Sequence, residues 1–349
     1  MTATKSITPH VGQEKSPKVG KKLTAFLLLF LFLALAVFAS LLLGARSVSL
    51  DTVTDAIWNF DPTNGDQGVV ASRFARTVGA IVVGAALGLA GAGLQGLTRN
   101  PLADTGILGL NAGSSMSVVL AIGFLGVSSL AGIMAAAFIG AAVVMILVYL
   151  VANVGREGAT PIKLALGGAA LAVGVGAVTN AILMISDSTL DRFRMWQIGS
   201  LSTTGIDTFL SAIPVVAMGA LIVLSTAKVS NAVSMGDDTA TALGFNLGRA
   251  RVIGSIGVVV LAGTATAVAG PIAFVGLMIP HAVRLLVGSD YRWLMPACLI
   301  AGPILLLVAD TVGRVIAPPS EIQVGVMCAL LGGPIFIIMM RSGMKSVSL

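Results

Sequence analysis

Residues 23–43 read LTAFLLLFLFLALAVFASLLL, twenty-one residues without one charged side chain. At about 1.5 Å per residue, a helix of that length reaches across the roughly 30 Å hydrocarbon core of a bilayer. The run is too long for the core of a signal peptide, and further runs like it follow, so it reads as an uncleaved first span. Ahead of it, residues 1–22 are polar and carry Lys5, Lys15, Lys18, Lys21 and Lys22, the pattern of a short disordered tail on the cytoplasmic side. The rest of the chain agrees: 56% of its residues are hydrophobic and 10% charged, with a mean hydropathy of +0.99, whereas soluble domains carry about 25% charged residues. The 42 glycines suit helices that pack closely in lipid. Cys298 and Cys328 both fall in apolar stretches and offer neither metal spacing nor a disulfide framework. The formal charge of +6 is spread over short loops. It is not gathered into a basic, aromatic-laced patch, which argues against a nucleic-acid surface.

Outward from that first run, nine more apolar segments follow at 73–97, 105–127, 129–152, 162–185, 206–226, 251–269, 271–288, 293–313 and 322–341. The expected fold is an all-α polytopic membrane protein of about ten transmembrane helices. Its membrane domain covers 23–345 and includes a long cytoplasmic connection at 227–250. Gly84, Gly88 and Ala92 recur at a spacing of four and mark a face for close helix contact. Ala269-Gly270-Pro271 must turn the chain between the seventh and eighth segments, because Pro271 has no N–H to continue a helix. With the N-terminus inside, 15 of the 21 Lys and Arg residues fall on the inner side. That bias, with an even number of spans, predicts both termini in the cytoplasm.

Polar segments carry the functional reading, each beside a plainer one. The connection 227–250 reads AKVSNAVSMGDDTATALGFNLGRA. Asp237, Asp238 and Thr239 suit a helix start, Ala240 and Leu243 continue it, and Gly244 suits its end. Arg249 then leads into the next span. Such a knob fits a cytoplasmic partner or an ordinary amphipathic connector. After the second segment, Asn100-Pro101-Leu102 marks a turn, with Asp104 able to cap the next helix and Gln95 needing a partner inside the apolar layer. Asp310 and Arg314, four apart, can pair on one helix face. Pro280-His281 offers a lone imidazole without a second ligand at metal spacing.

Four stretches together resemble the FecCD/BtuC-like permeases of type II ATP-binding-cassette importers for ferric siderophores, haem and vitamin B12. They are Ser72-Arg73-Phe74-Ala75-Arg76; LQGLTRNPLADTGILG at 94–109; GPIAFVGLMIPHAVR at 270–284; and 310–334, with Asp310, Arg314, Glu321 and Pro334 in the family's closing pattern. Residues 193–201 and 238–244 look most like the permeases for a catecholate siderophore. The resemblance implies the type II importer permease fold and a transport subunit rather than an enzyme. It also implies partners: an ATPase dimer, an extracytoplasmic siderophore-binding protein, and a second permease that is either a copy or a paralogue.

The resemblance also implies roles. Arg73, Arg76 and Arg314 would meet acidic residues of the binding protein, where guanidinium forks suit carboxylates; the plainer reading anchors them in headgroups. Asp237, Asp238, Thr239, Ala240, Leu243, Gly244 and Arg249 would seat in the ATPase. Asn100 and Leu102 would close the channel. Gly167 and Gly168, with Thr179 and Asn180, would line the pathway on the fifth helix, unless they only pack against neighbours. No cofactor is expected on this chain; ATP and magnesium belong to the partner ATPase, since no G-x-x-x-x-G-K-[ST] loop occurs and Gly20-Lys21-Lys22 lacks its spaced glycine. Haem or vitamin B12 is the alternative cargo. A secondary transporter driven by an ion gradient is the rival class, although Asp310 is the main acid within a span. An enzyme would need a convergent polar cluster that His10 and His281 do not supply.

Overall fold

The computed structural model describes residues 19–347 except 62, 107 and 155–159. The tail expected at 1–22 therefore lies largely outside the described residues. Fourteen helices and no strand occur among the described residues: α1 (Val19–Leu42), α2 (Leu50–Trp58), α3 (Gly65–Thr98), α4 (Leu110–Gly123), α5 (Leu130–Ala152), α6 (Pro161–Leu183), α7 (Asp187–Gln197), α8 (Ile206–Ser225), α9 (Ala227–Ser234), α10 (Asp237–Ala242), α11 (Leu247–Ala269), α12 (Val275–Val287), α13 (Tyr291–Ile316) and α14 (Val324–Val347). Seven of them (α1, α3, α5, α6, α8, α11 and α13) are long and apolar enough to cross a membrane, and α4, α12 and the apolar part of α14 are shorter. Those ten match the ten segments read from the sequence. α1 is already helical at Val19, the first of the described residues, so Lys21 and Lys22 lie within it. Lys22 is buried and lies over the Trp293 ring at 5.5 Å, its stem spread on apolar surface.

The core is built on α3, whose 34 residues span about 51 Å. It packs against α13, α11, α8 and α12. Glycine permits this closeness. A Cβ at Gly84 would stand 2.6 Å from the Gly302 carbonyl carbon on α13, and one at Gly91 would collide with Gly276 on α12. Without a hydrophobic drive between helices in lipid, such backbone approach supplies the packing.

α4 and α12 are too short to cross alone, at about 20 Å each. Each is preceded by irregular chain held inside protein, where non-helical backbone is tolerated at membrane depth. Before α12, Gly270 (φ 74°) and Phe274 (φ 68°) take left-handed conformations. The freed carbonyls at the end of α11 find donors: Ser200 N–H to Ala269 O at 2.7 Å, and Thr204 Oγ1 to Val268 O at 2.7 Å. Before α4, Asp104 does not cap the helix as expected. Its Oδ2 accepts the Gly106 N–H at 3.2 Å, and the helix starts only after Gly109, whose φ of 79° ends the turn.

Candidate functional site

Polar groups gather at the two opposite ends of α3. Near its start, Arg76 donates from Nε (3.2 Å) and NH2 (2.7 Å) to Asp310 Oδ1 and from NH1 to Glu321. Arg314 Nε lies 3.1 Å from Asp310 Oδ2, the i,i+4 pair read from the sequence. Its NH2 donates to Ser40 O and Ser40 Oγ, both at 3.0 Å, and to Thr311 Oγ1 at 3.2 Å. Arg73 donates to the carbonyls of Leu41 (3.0 Å), Leu42 (2.8 Å) and Arg46. Arg73, Arg76 and Arg314 are only 4%, 7% and 1% exposed. They clasp α1, α3 and α13 together through partners within the chain, and of their side-chain nitrogens only NH1 of Arg314 is buried without a hydrogen bond among the described residues. The acids that occupy them, Asp310 and Glu321, lie 234 and 245 residues from Arg76.

At the other end of α3, the connection 227–250 forms two short helices, α9 and α10. The second starts at Asp237 after Gly236 and is pinned by Ala240, fully buried against Val233, Phe245 and Leu247. Asp238, Thr239 and Gly244 are exposed, and Leu243 is 60% exposed. Gly244 takes φ 84° and reverses the chain, as expected of it. Asn246 Oδ1 then accepts the Arg249 N–H at 3.0 Å and caps α11. The chain after Gly244 passes directly into the first turn of α11, with Arg249 exposed on it.

The knob is anchored by residues not singled out in the sequence. Asn231 on α9 donates from Nδ2 to Asp290 Oδ1 at 2.6 Å and accepts the Tyr291 N–H at 2.9 Å. Burial works against the Asp290 charge, yet the hydrogen bonds from Asn231 and the Arg292 N–H, with the charges of Arg292 and Lys22, hold its carboxyl below the usual range. An asparagine in a polar connection carries no periodic signal, so only tertiary contact reveals it.

The turn after α3 stands beside this knob. Asn100 Oδ1 accepts the Leu102 N–H at 2.9 Å, so Asn100 shapes the turn, and Leu102 is half-buried on it. Gln95, 1% exposed, finds its partners in Gly276 O (3.3 Å) and Ala103 O (3.5 Å). The motifs at 94–109 and 270–284 are therefore one junction in space. On α6, Gly168 is buried against Gly109, and Thr179 is buried and donates to its own helix at Val175 O (2.8 Å). Asn180 is exposed, Gly167 is half-buried, and a Cβ at Gly174 or Gly176 would meet nothing within 4 Å. Leu166 and Val173 are 67% and 75% exposed, so much of α6 has no partner within the chain. His281 is half-buried, and no group of three His, Cys, Asp or Glu residues that could hold a metal occurs among the described residues.

The family model described as the FecCD transport family matches residues 31–342. The chain belongs to the FecCD transport family. It is 43% identical over 314 residues to the ferric enterobactin transport system permease protein FepD of Escherichia coli (strain K12), covering 90% of this chain and 93% of that one. It is 34% identical over 330 residues to the hemin transport system permease protein HmuU of Yersinia pestis, covering 92% and 96%. Among solved structures, it matches an inward-facing transporter assigned to the metal-chelate type of ABC transporters. That match has a TM-score of 0.79 and 28% identity, covering 92% of this chain and 99% of that one. The FecCD resemblance read from the four motifs is borne out. The fold is that of a type II importer permease, and the chain is the membrane subunit of an ABC importer whose ATPase is a separate subunit.

Proposed function

We propose that this FecCD permease carries a ferric catecholate siderophore across the cytoplasmic membrane into the cell, powered by an ATPase dimer seated on α10. The observation that carries the reading is α10 itself. Ala240 is locked inward while Asp238, Thr239, Leu243 and Gly244 are presented outward, beside the turn of Asn100 and Leu102. An exposed leucine at the C-cap, just past the end of the helix rather than continuing it as the sequence suggests, suits a cleft in a partner. The likeness to FepD favours a catecholate cargo; the likeness to HmuU makes haem the alternative.

The α10 end faces the cytoplasm, with both termini, and the Arg76 end faces outward. An extracytoplasmic binding protein docks at the outward end. Three guanidinium groups stand there against two carboxylates, so one positive charge is left over, and Arg73 carries it, served by carbonyls alone. The Glu321 side chain is 37% exposed, and an acidic group on the binding protein competes with it for Arg76. A second permease, a copy or a paralogue, covers α6. Its open face, with Gly174, Gly176 and Asn180, then borders the pathway, and Leu102 closes the inner mouth.

In the cycle, ATP closes the ATPase dimer, α10 moves with it, the Leu102 turn follows, and cargo released by the binding protein passes along the dimer axis. Each ligand gives direction only by binding one conformation better than the other. The test is purification from membranes through a tag on this chain. An ATPase and a second permease should accompany it, and deletion of 237–244 should release the ATPase while the permease pair stays intact. Purification of the chain with neither partner contradicts the reading.

A further inference from the structure

The coupling helix and the gate turn are joined by one carboxylate. Asp237 opens α10, and its Oδ2 holds Arg251 NH2 of α11 at 2.8 Å. Its Oδ1 is shielded from solvent and accepts no hydrogen bond. The cation that this oxygen faces is Arg99 NH1, at 3.6 Å. Arg99 ends α3 in a left-handed conformation (φ 49°, ψ 30°) and is followed directly by Asn100-Pro101-Leu102. One carboxylate thus spans three elements, with one half satisfied and the other within ionic range of the gate turn but short of a hydrogen bond, which needs about 2.7–2.9 Å.

The surroundings allow that gap to close and open. Beside Arg99 is a cavity of about 290 Å3 bounded by Gly96 of α3, Pro101 of the turn and Ser234, Arg284 and Tyr291 of α9, α12 and α13. Arg284 leans on Tyr291, with NH2 3.3 Å from the hydroxyl, and lines the same cavity, so its like charge disfavours Arg99 moving into that space. α10 packs chiefly on α9 and α11. A displacement of α10 therefore reaches the turn through charge as well as through the backbone of its neighbours. The Arg99 and Asp237 side chains are 42% and 40% exposed, so the contact contributes little to folding. A contact of that kind is free to be made in one state of the transporter and broken in another.

We infer that the Arg99–Asp237–Arg251 bridge transmits the movement of the coupling helix to the gate turn, which makes Arg99 a positioning residue for gate opening. The inference rests on the reading of α10 as the ATPase seat.

The experiment uses the complex purified through a tag on this chain and returned to liposomes, with Leu102→Cys as reporter. Cys298 and Cys328 are buried and stay silent toward a water-soluble maleimide. With Arg99 intact, the labelling rate at Leu102→Cys should change when ATP and vanadate trap the ATPase. In Arg99→Ala the complex should still assemble, but the nucleotide-dependent change should be lost. Arg99→Lys should restore it in large part. Asp237→Asn should lose it too, and Arg99→Ala with Asp237→Asn should be no worse than Asp237→Asn alone, because that variant already removes the Arg99 contact along with the Arg251 one. A nucleotide response that survives Arg99→Ala overturns the bridge and leaves the ATPase seat standing. No response with Arg99 intact overturns the seat and the bridge with it.

Discussion

Replacing Asp310 by asparagine removes the acid that holds two buried arginines at once. Asp310 is 1% exposed, 2.7 Å from Arg76 and 3.1 Å from Arg314. Arg76 keeps Glu321, but Arg314 is left with Ser40, Thr311 and a carbonyl, all uncharged. Breaking one partner of a buried ion pair costs about 3–5 kcal/mol, because the remaining charge stays out of water uncompensated. At a typical unfolding entropy of roughly 2.1 cal/mol/K per residue, this size of chain loses about 4–7 °C of thermal midpoint. Glu321→Gln is the control: its side chain is 37% exposed and Arg76 keeps Asp310, so no buried charge is stranded and the loss should be smaller. Melting of the purified chain in detergent, followed by loss of its monodisperse elution peak, gives the comparison. Asp310→Leu combined with Arg314→Met should recover much of the loss, since an apolar pair of similar volume removes the stranded charge. Equal melting of Asp310→Asn and Glu321→Gln would refute the clasp, as would an unchanged midpoint in Asp310→Asn.

Gly84→Ala should destabilise the chain by about 1–3 kcal/mol, because the new Cβ meets backbone at Gly302 that has nowhere to go. Gly174→Ala, whose Cβ meets nothing within the chain, should stabilise isolated chain by about 0.5–1 kcal/mol; comparative melting separates the two. Asn246→Ala removes the cap of α11 and should cost about 1 kcal/mol, read by the same melting. Asp290 titrates lower folded than unfolded, so its contribution is present above the ordinary carboxylate value of about 3.9 and fades as pH falls through the folded value. The stability gap between wild type and Asp290→Asn should therefore hold at pH 7 and narrow below about pH 4.

The ten apolar helices were legible because a long apolar run marks a membrane segment without any partner information, although only seven of them are long enough to cross by themselves. The same signal misplaced the starts of α4 and α12. GPIAF at 270–274 is as apolar as a helix, and hydropathy does not separate helix from irregular chain enclosed by protein. α2 and α7 were missed because they are short and lie outside the runs. Their signals were local: Ser49 and Ser186 cap them by accepting the Thr52 and Thr189 N–H groups, with Asp51 and Asp187 in the first turns. Asp237 and Gly244 were legible as ends of α10 from helix-terminus chemistry. The Arg76–Asp310–Glu321 and Asn231–Asp290 contacts were not, because each joins residues far apart in sequence and only folding brings them together. The motifs named the arginines, and the coordinates show what occupies them.

The most direct measurement of the account uses liposomes holding this complex, with ATP inside, the α10 face inward-accessible and the binding protein with its radiolabelled ferric siderophore on the opposite face. Uptake should require ATP hydrolysis, be lost on deletion of 237–244, and be absent under a proton gradient alone. Uptake driven by the gradient without nucleotide would contradict the account.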